Sequence, residues 1–271
     1  TPSNSSAASD VYKRQLLDAV FGVINFKNEI IWLRTSPKSH MKKRFPNSHD
    51  IILFYSKSER SNFNILYKPH DKSYIEKFYK FIEPSTGRRY TLDNLLNPNK
   101  DRPNLTYEFK GVTRVWRWTK KRMEKADREG RIVWEPGKVP RYKRYLDEMP
   151  GTPITTVWND ILPIQSHSSE RLGYPTQKPE LLIERIIKAC SKEKDIILDP
   201  FCGCGTAVAV AHRLKRKWIG IDITHLAISL MTHRLHNSFG NKISGKYEII
   251  GEPVSLPDAR ALAKDDPFQF E

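Results

Sequence analysis

The run Ile-Leu-Asp-Pro-Phe-Cys-Gly-Cys-Gly-Thr at 197–206 takes an apolar strand to an acid and then turns through two glycines into a helix. Gly203 and Gly205 let the backbone turn tightly and approach a ligand with no Cβ in the way. Thr206 opens the helix, whose first amides favour a carboxylate or another anion. Asp222 ends the following strand, 23 residues after Asp199. An acid there can accept hydrogen bonds from both hydroxyls of a ribose. The spacing is not Gly-x-Gly-x-x-Gly, which argues against a dinucleotide. A glycine loop alone is an ordinary strand–helix turn; with the acid at this distance it points to a nucleoside-like ligand. The three cysteines, Cys190, Cys202 and Cys204, form no Cys-x-x-Cys and no zinc spacing, so no metal is expected and the thiols read as reduced, in a cytoplasmic protein.

Regular elements are needed to position that loop. Glu180–Cys190 places Leu181, Leu182, Ile183, Ile186, Ile187 and Cys190 on one helical face, with Pro179 near the first turn. The pattern then predicts strand Asp195–Asp199, helix Thr206–Leu214, strand Lys217–Ile223, helix Thr224–His236 and strand Tyr247–Ile250. Such alternation predicts an α/β fold with a parallel sheet and right-handed crossovers. Upstream, residues 1–15 read as a cloning or assembly scar, disordered and set aside from the fold. A helix is expected from Leu16 to Gly22. Strands are expected over Asn28–Leu33 and Asp50–Ser56, with a basic loop between them. Residues 59–110 show no clear period. A charged helix is expected over 119–129, capped by Thr119 and stopped by Gly130, then a strand over Arg131–Trp134. No run approaches the ~18 apolar residues that span a bilayer, and no signal peptide is visible.

The net charge is +15, and residues 34–148 hold 28 Lys and Arg against 14 Asp and Glu, a net of +14. The same stretch holds 17 of the 29 aromatic residues. A basic, aromatic-rich region fits a polyanion partner, most often nucleic acid, and equally the solvated surface of a basic protein.

Three ordered motifs then carry a resemblance. Tyr174–Pro179 (Tyr-Pro-Thr-Gln-Lys-Pro), Asp199–Thr206 and Trp218-Ile-Gly-Ile-Asp-Ile223 resemble the β group of DNA amino-methyltransferases. These are N6-adenine and N4-cytosine enzymes that use S-adenosylmethionine. The likeness is strong over Trp158–Leu235 and weaker over 16–58 and 111–158, including Arg114-Val-Trp-Arg-Trp118. It implies a Rossmann-like methyltransferase sheet with an inserted basic α+β target-recognition region. Residues 16–58 would then be the end of the catalytic half, 59–158 the DNA target-recognition region, and 159–271 the cofactor-binding half.

The resemblance also implies roles. Asp199, Pro200, Phe201, Gly203, Gly205 and Thr206 would hold the methionine part of the cofactor. Asp222 would hold the ribose, and Ile223 would pack by the adenine. Thr176, Gln177 and Lys178 would help fix the methionine carboxylate. Cys202 and Cys204 would be small loop fillers, since this chemistry needs no covalent enzyme intermediate. Duplex DNA would meet Lys42, Lys43 and Arg44 in the 34–49 loop, then Arg114, Arg117, Lys120, Lys121 and Arg122 beside Trp116 and Trp118, and Arg141, Lys143 and Arg144.

The family's catalytic motif, (Asp/Asn/Ser)-Pro-Pro-(Tyr/Phe/Trp), supplies acceptors for the target amine and a ring to stack on the flipped base. No Pro-Pro dipeptide occurs in the chain, so no catalytic residue is assigned within it. In this motif order the motif is expected upstream of Leu16, in a longer parent from which this chain is an N-terminally truncated piece. Adenine N6 is favoured as the target. The alternatives are a DNA- and cofactor-binding remnant that does not catalyse, and an RNA or protein methyltransferase. The oligomeric state is open, a homodimer included.

Overall fold

The computed structural model describes residues 6–35 and 45–251. The chain divides into two compact units, one of residues 1–66 with 155–271 and the other Tyr67–Ile154. In chain order the first unit begins with α1 (Ser6–Phe21), β1 (Phe26–Leu33) and β2 (His49–Tyr55). The second holds β3 (Tyr67–Lys68), α2 (Lys72–Phe78), β4 (Phe81–Ile82), β5 (Arg89–Asn94), β6 (Thr106–Phe109), β7 (Val112–Val115), α3 (Lys120–Arg128), β8 (Ile132–Val133), β9 (Arg141–Tyr145) and β10 (Thr152–Pro153). The first unit resumes with β11 (Val157–Trp158), α4 (Glu180–Cys190), β12 (Ile196–Asp199), α5 (Thr206–Arg213), β13 (Lys217–Gly220) and α6 (His225–Phe239).

The architecture is mixed α/β, as expected, but several local expectations change. Residues 6–15 are helical rather than disordered, because α1 starts ten residues before Leu16. The reason lies in Arg14 and Asp18. Arg14 stacks 3.5 Å over the Phe26 ring and pairs with Asp18, which accepts a 2.6 Å hydrogen bond from the Tyr55 hydroxyl. That hydroxyl and the Arg14 guanidinium hold the Asp18 carboxyl below its usual range. At the other end, 247–250 is not a strand: the Tyr247 ring packs 5.9 Å from Trp218 instead of pairing with an edge.

In the first unit β1 runs antiparallel to β2 and parallel to β11. Trp32 is buried and its indole N–H donates to the Ile161 carbonyl at 3.0 Å. Trp158 is also buried, under the Arg185 guanidinium that pairs with Asp160. Separately, β12 and β13 form a parallel pair, Ile196↔Lys217 to Asp199↔Gly220. Among the described residues the sheet is therefore in two pieces.

Strand alternation gives the β12–β13 pair two faces. Ile197 and Trp218 point to one, against Ile187, Val210 and Ala211 of α4 and α5. Val208, Ala209, Met231, Leu235 and Ile243 form the adjoining core around α5 and α6. Among the described residues nothing covers the opposite face: Ile196, Leu198, Ile219 and Ile221 are each more than half exposed. Parallel sheets ordinarily have both faces covered.

The second unit is a four-stranded antiparallel sheet, β4-β5-β9-β8, beside the β6–β7 hairpin. Leu95, Phe109, Trp116 and Met123 form its core. Several of its strands lie within 59–110, where no sequence period showed. Thr119 precedes α3 in extended conformation but makes no side-chain cap.

Carboxylates brace this unit. Glu83 accepts from the Tyr145 hydroxyl at 2.6 Å, from Thr86 at 2.7 Å and from Lys143 at 2.9 Å. These bonds, Tyr145's first, lower its carboxyl to about 2. Glu148 is lowered to about 2 by Arg131 and then Arg88. Both titrate lower when folded than their ordinary value of 4.5. Their stabilisation is thus complete above about pH 4.5 and is lost as the pH falls toward about 2. Melting followed by circular dichroism should show a steep loss across that window, and Glu83→Gln should flatten it.

Candidate cofactor site and basic face

Gly203 and Gly205 have φ of +49° and +72°. A Cβ at Gly203 would lie 2.8 Å from Tyr174 Cε1, and one at Gly205 would lie 2.4 Å from Met231 Cγ. The loop is thus seated between the ring of Tyr174 and the α6 side chain Met231. Its backbone is tied twice to the strand beside it. The Cys202 N–H donates to the Ile221 carbonyl at 2.9 Å, and the Gly203 N–H donates to Asp222 Oδ2 at 2.9 Å. Asp222 Oδ1 accepts from the Thr224 N–H at 3.1 Å and its hydroxyl at 3.0 Å. The Thr224 oxygen in turn caps α6 by accepting from Ala227 N–H. Asp199 caps its own turn, accepting from the Phe201 N–H at 3.2 Å.

The structure therefore brings Asp199, Gly203, Gly205, Thr206 and Asp222 together. The Thr206 side chain is buried, its hydroxyl 3.8 Å from the Cys204 sulfur, at the start of α5. Phe201 and Ile223 flank the loop as open apolar surfaces, 87% and 81% exposed, and Pro200 is exposed between the acid and Phe201. The Cys202 thiol is pushed up to about 11, first by burial and then by the charges of Asp199 and Asp222. It is protonated at neutral pH and is no nucleophile.

The 174–179 segment is tied largely to its own loop. The Gln177 side chain holds its own loop, donating to the Glu170 carbonyl at 2.5 Å and accepting from the Leu172 N–H at 2.9 Å. The Lys178 ammonium donates to the Thr176 carbonyl at 3.3 Å, and Thr176 is exposed. A cavity of about 380 Å³, lined by Ile164, Ser166, Arg171, Gly173, Tyr174 and Gln177 among others, opens on this segment. Tyr174 is shared between that cavity and the glycine loop. Sequence reasoning gave Tyr174 no role of its own within its motif, and did not single out Met231, Thr224, Glu180 or Arg234. A signal for the last was present: Ala227, Met231 and Arg234 fall on one helical stripe, so a cation sits among buried positions.

On the second unit, Arg114, Arg117, Lys120, Lys121, Arg122 and Arg141 are exposed. Arg114 donates to the Thr113 carbonyl and Arg117 to the Leu96 carbonyl. Arg122 lies 4.1 Å over the Trp118 ring, while Trp116 is core. Lys143 and Arg144 are not free surface charges. Strand pairing sets Lys143 on Glu83 and Arg144 on Asp93, at 2.9 and 3.3 Å. Lys42, Lys43 and Arg44 lie outside the described residues. Among the described residues no cluster of His, Cys, Asp or Glu could hold a metal ion, and no helix is long and apolar enough to cross a membrane.

Comparison with known proteins follows the same lines. A family model described as DNA methylase matches residues 7–232. The type II methyltransferase M.EcaI of Enterobacter cloacae is 31% identical over 236 residues, 86% of this chain and 51% of that protein. The chain thus spans about half the length of this relative. The type II methyltransferase M2.DpnII of Streptococcus pneumoniae is 55% identical over 62 residues, 23% of each protein. Among solved structures, the M1.HpyAVI–SAM complex is 17% identical, with a TM-score of 0.41, over 83% of this chain and 68% of that one. With the match running through both β1–β2 and the glycine loop, this chain belongs to the N6/N4 DNA methylase family.

Proposed function

We propose that this chain is the cofactor-binding and DNA-reading part of a DNA amino-methyltransferase that uses S-adenosylmethionine and acts on duplex DNA, with adenine N6 as the favoured target. The observation that carries the reading is the Gly203–Asp222 hydrogen bond. It places a carboxylate that can take ribose hydroxyls directly beside a loop with no Cβ at two points.

The residues fit the cofactor. Asp222 would bind the ribose, Ile223 would pack by the adenine, and the 199–206 loop, Phe201 included, with the first amides of α5 would hold the methionine part. Bound S-adenosylmethionine supplies an electrophilic methyl group. Thr176 and Lys178 would border the carboxylate end, whereas Gln177 acts through its grip on the 170–177 loop. On the second unit the six exposed cations would neutralise phosphates, and Trp118 with Arg122 offers a stacked edge to a base. Duplex DNA and three free thiols, two of them buried, fit a cytoplasmic protein.

The acceptor motif that would hold a target amine is not in these 271 residues. The chain by itself is therefore expected to bind cofactor and DNA without transferring methyl. Equilibrium dialysis with labelled S-adenosylmethionine, followed by a transfer assay into duplex DNA, tests both clauses. Absence of cofactor binding would falsify the first. Transfer by this chain at the rate of a full-length relative would sink the second. DNA affinity should fall steeply with salt, with a log–log slope of about −0.9 per phosphate contacted.

A further inference from the structure

Arg234 of α6 is the one buried charged residue among the described residues, 4% exposed. Its guanidinium reaches two places. Nη1 pairs with Glu180 Oε1 at 3.1 Å, and Nη2 donates to the Cys204 sulfur at 3.6 Å. Nε is buried without a hydrogen-bond partner. Glu180 is the first residue of α4, immediately after the 174–179 segment, and its other oxygen is held by Arg213. Its backbone N–H donates to Glu170 Oε2 at 3.0 Å. Glu170 also accepts from Gln177 through its carbonyl. Cys204 stands between the two glycines of positive φ. One guanidinium thus joins the first residue of α4 to the middle of the glycine loop.

Packing alone does not account for it. Burying a guanidinium is costly, and an apolar side chain of similar volume usually does as well or better. A thiol is a weak acceptor that repays little of that cost. What the arrangement supplies is position.

We propose that Arg234 is a positioning residue for the cofactor loop: clamped by Glu180, it fixes Cys204 and so presets the turn that receives the carboxylate end of the ligand. This rests on the S-adenosylmethionine reading of the loop. The polar contacts of Arg234 run to Glu180 and Cys204 rather than to Asp222 or Ile223, so the nucleoside end of the ligand is expected not to depend on it.

The test compares two ligands. S-adenosylmethionine carries the carboxylate, and 5′-methylthioadenosine carries the nucleoside without it. Arg234→Met keeps volume and removes the fork. It should weaken S-adenosylmethionine by about 30-fold and 5′-methylthioadenosine by less than about 3-fold. Arg234→Lys keeps the charge but cannot serve Glu180 and Cys204 together, and should fall between. Equal weakening of both ligands would mean a merely structural role and would overturn the proposal. Should Arg234→Met not fold, Cys204→Ala against Cys204→Ser makes the same test. Serine, which keeps an acceptor, should restore part of the preference that alanine loses; equal behaviour of the two overturns the proposal. Wild-type protein that binds neither ligand would instead overturn the reading of the site, and the proposal with it.

Discussion

Gly205→Ala should lower affinity for S-adenosylmethionine by about a hundredfold or more. Two independent penalties converge on the new methyl group. The residue has φ +72°, a conformation costing an L side chain about 1–2 kcal/mol. The Cβ would also lie 2.4 Å from Met231 Cγ and 2.9 Å from Met231 Cβ. Those atoms are near the α6 backbone and cannot swing aside like the tip of a side chain. Overpacking of this kind costs about 1–3 kcal/mol. The loop can escape only by leaving the conformation that a ligand needs. Isothermal titration with the cofactor measures the loss, and melting of the same protein shows how much is global. Adding Met231→Ala should recover part of the binding, because it removes the 2.4 Å contact with Cγ and leaves the 2.9 Å contact with Cβ and the backbone strain. Wild-type affinity in Gly205→Ala would mean that the loop binds in some other conformation.

Asp222→Ala should be at least as severe, and for a different reason. The carboxylate holds the Gly203 N–H on one oxygen and both polar groups of Thr224 on the other. Its removal leaves the buried Gly203 N–H without an acceptor, at about 1–3 kcal/mol. In the proposed complex it also removes the acceptors of the ribose hydroxyls, so the expected loss exceeds about a hundredfold. S-adenosylmethionine and 5′-methylthioadenosine both carry the ribose and should lose alike, unlike the outcome at Arg234. Asp222→Asn keeps one oxygen and should lie between. Thr224→Ala separates the contributions: it removes the α6 cap, worth about 1 kcal/mol, and leaves the carboxylate in place. If Asp222→Ala bound nucleoside normally, the ribose would have to sit elsewhere.

The sequence was most legible where one element makes its own case. The bounds of α4 agree with expectation because its apolar period and Pro179 are local properties. The glycine loop, β12 and α5 were legible for the same reason. What was hidden depends on pairing across long separations. Lys143 and Arg144 looked like free cations until β9 met β5, which carries Asp93 and pairs with β4, just before Glu83. The strands within 59–110 are too short to show a period, and β5 gains its partner from residues 141–145. Asp222 read as a ribose acid, but nothing local announces that it also grips Gly203. Gln177 read as a ligand residue, and nothing local announces its hydrogen bonds to Glu170 and Leu172 in the irregular stretch just before it.

The bare side of the β12–β13 pair has a consequence for handling the protein. Four aliphatic side chains in water form a sticky patch, and patches of this kind drive self-association. A net charge of +15 pushes the chains apart. That repulsion works through solvent and is screened within about 10 Å at 0.1 M salt, whereas attraction between apolar surfaces is not. Colloidal behaviour is therefore set by ionic strength, and in the opposite sense to the DNA release that the proposed function implies. The salt that would free the basic face from nucleic acid is the salt that lets the chains adhere to one another.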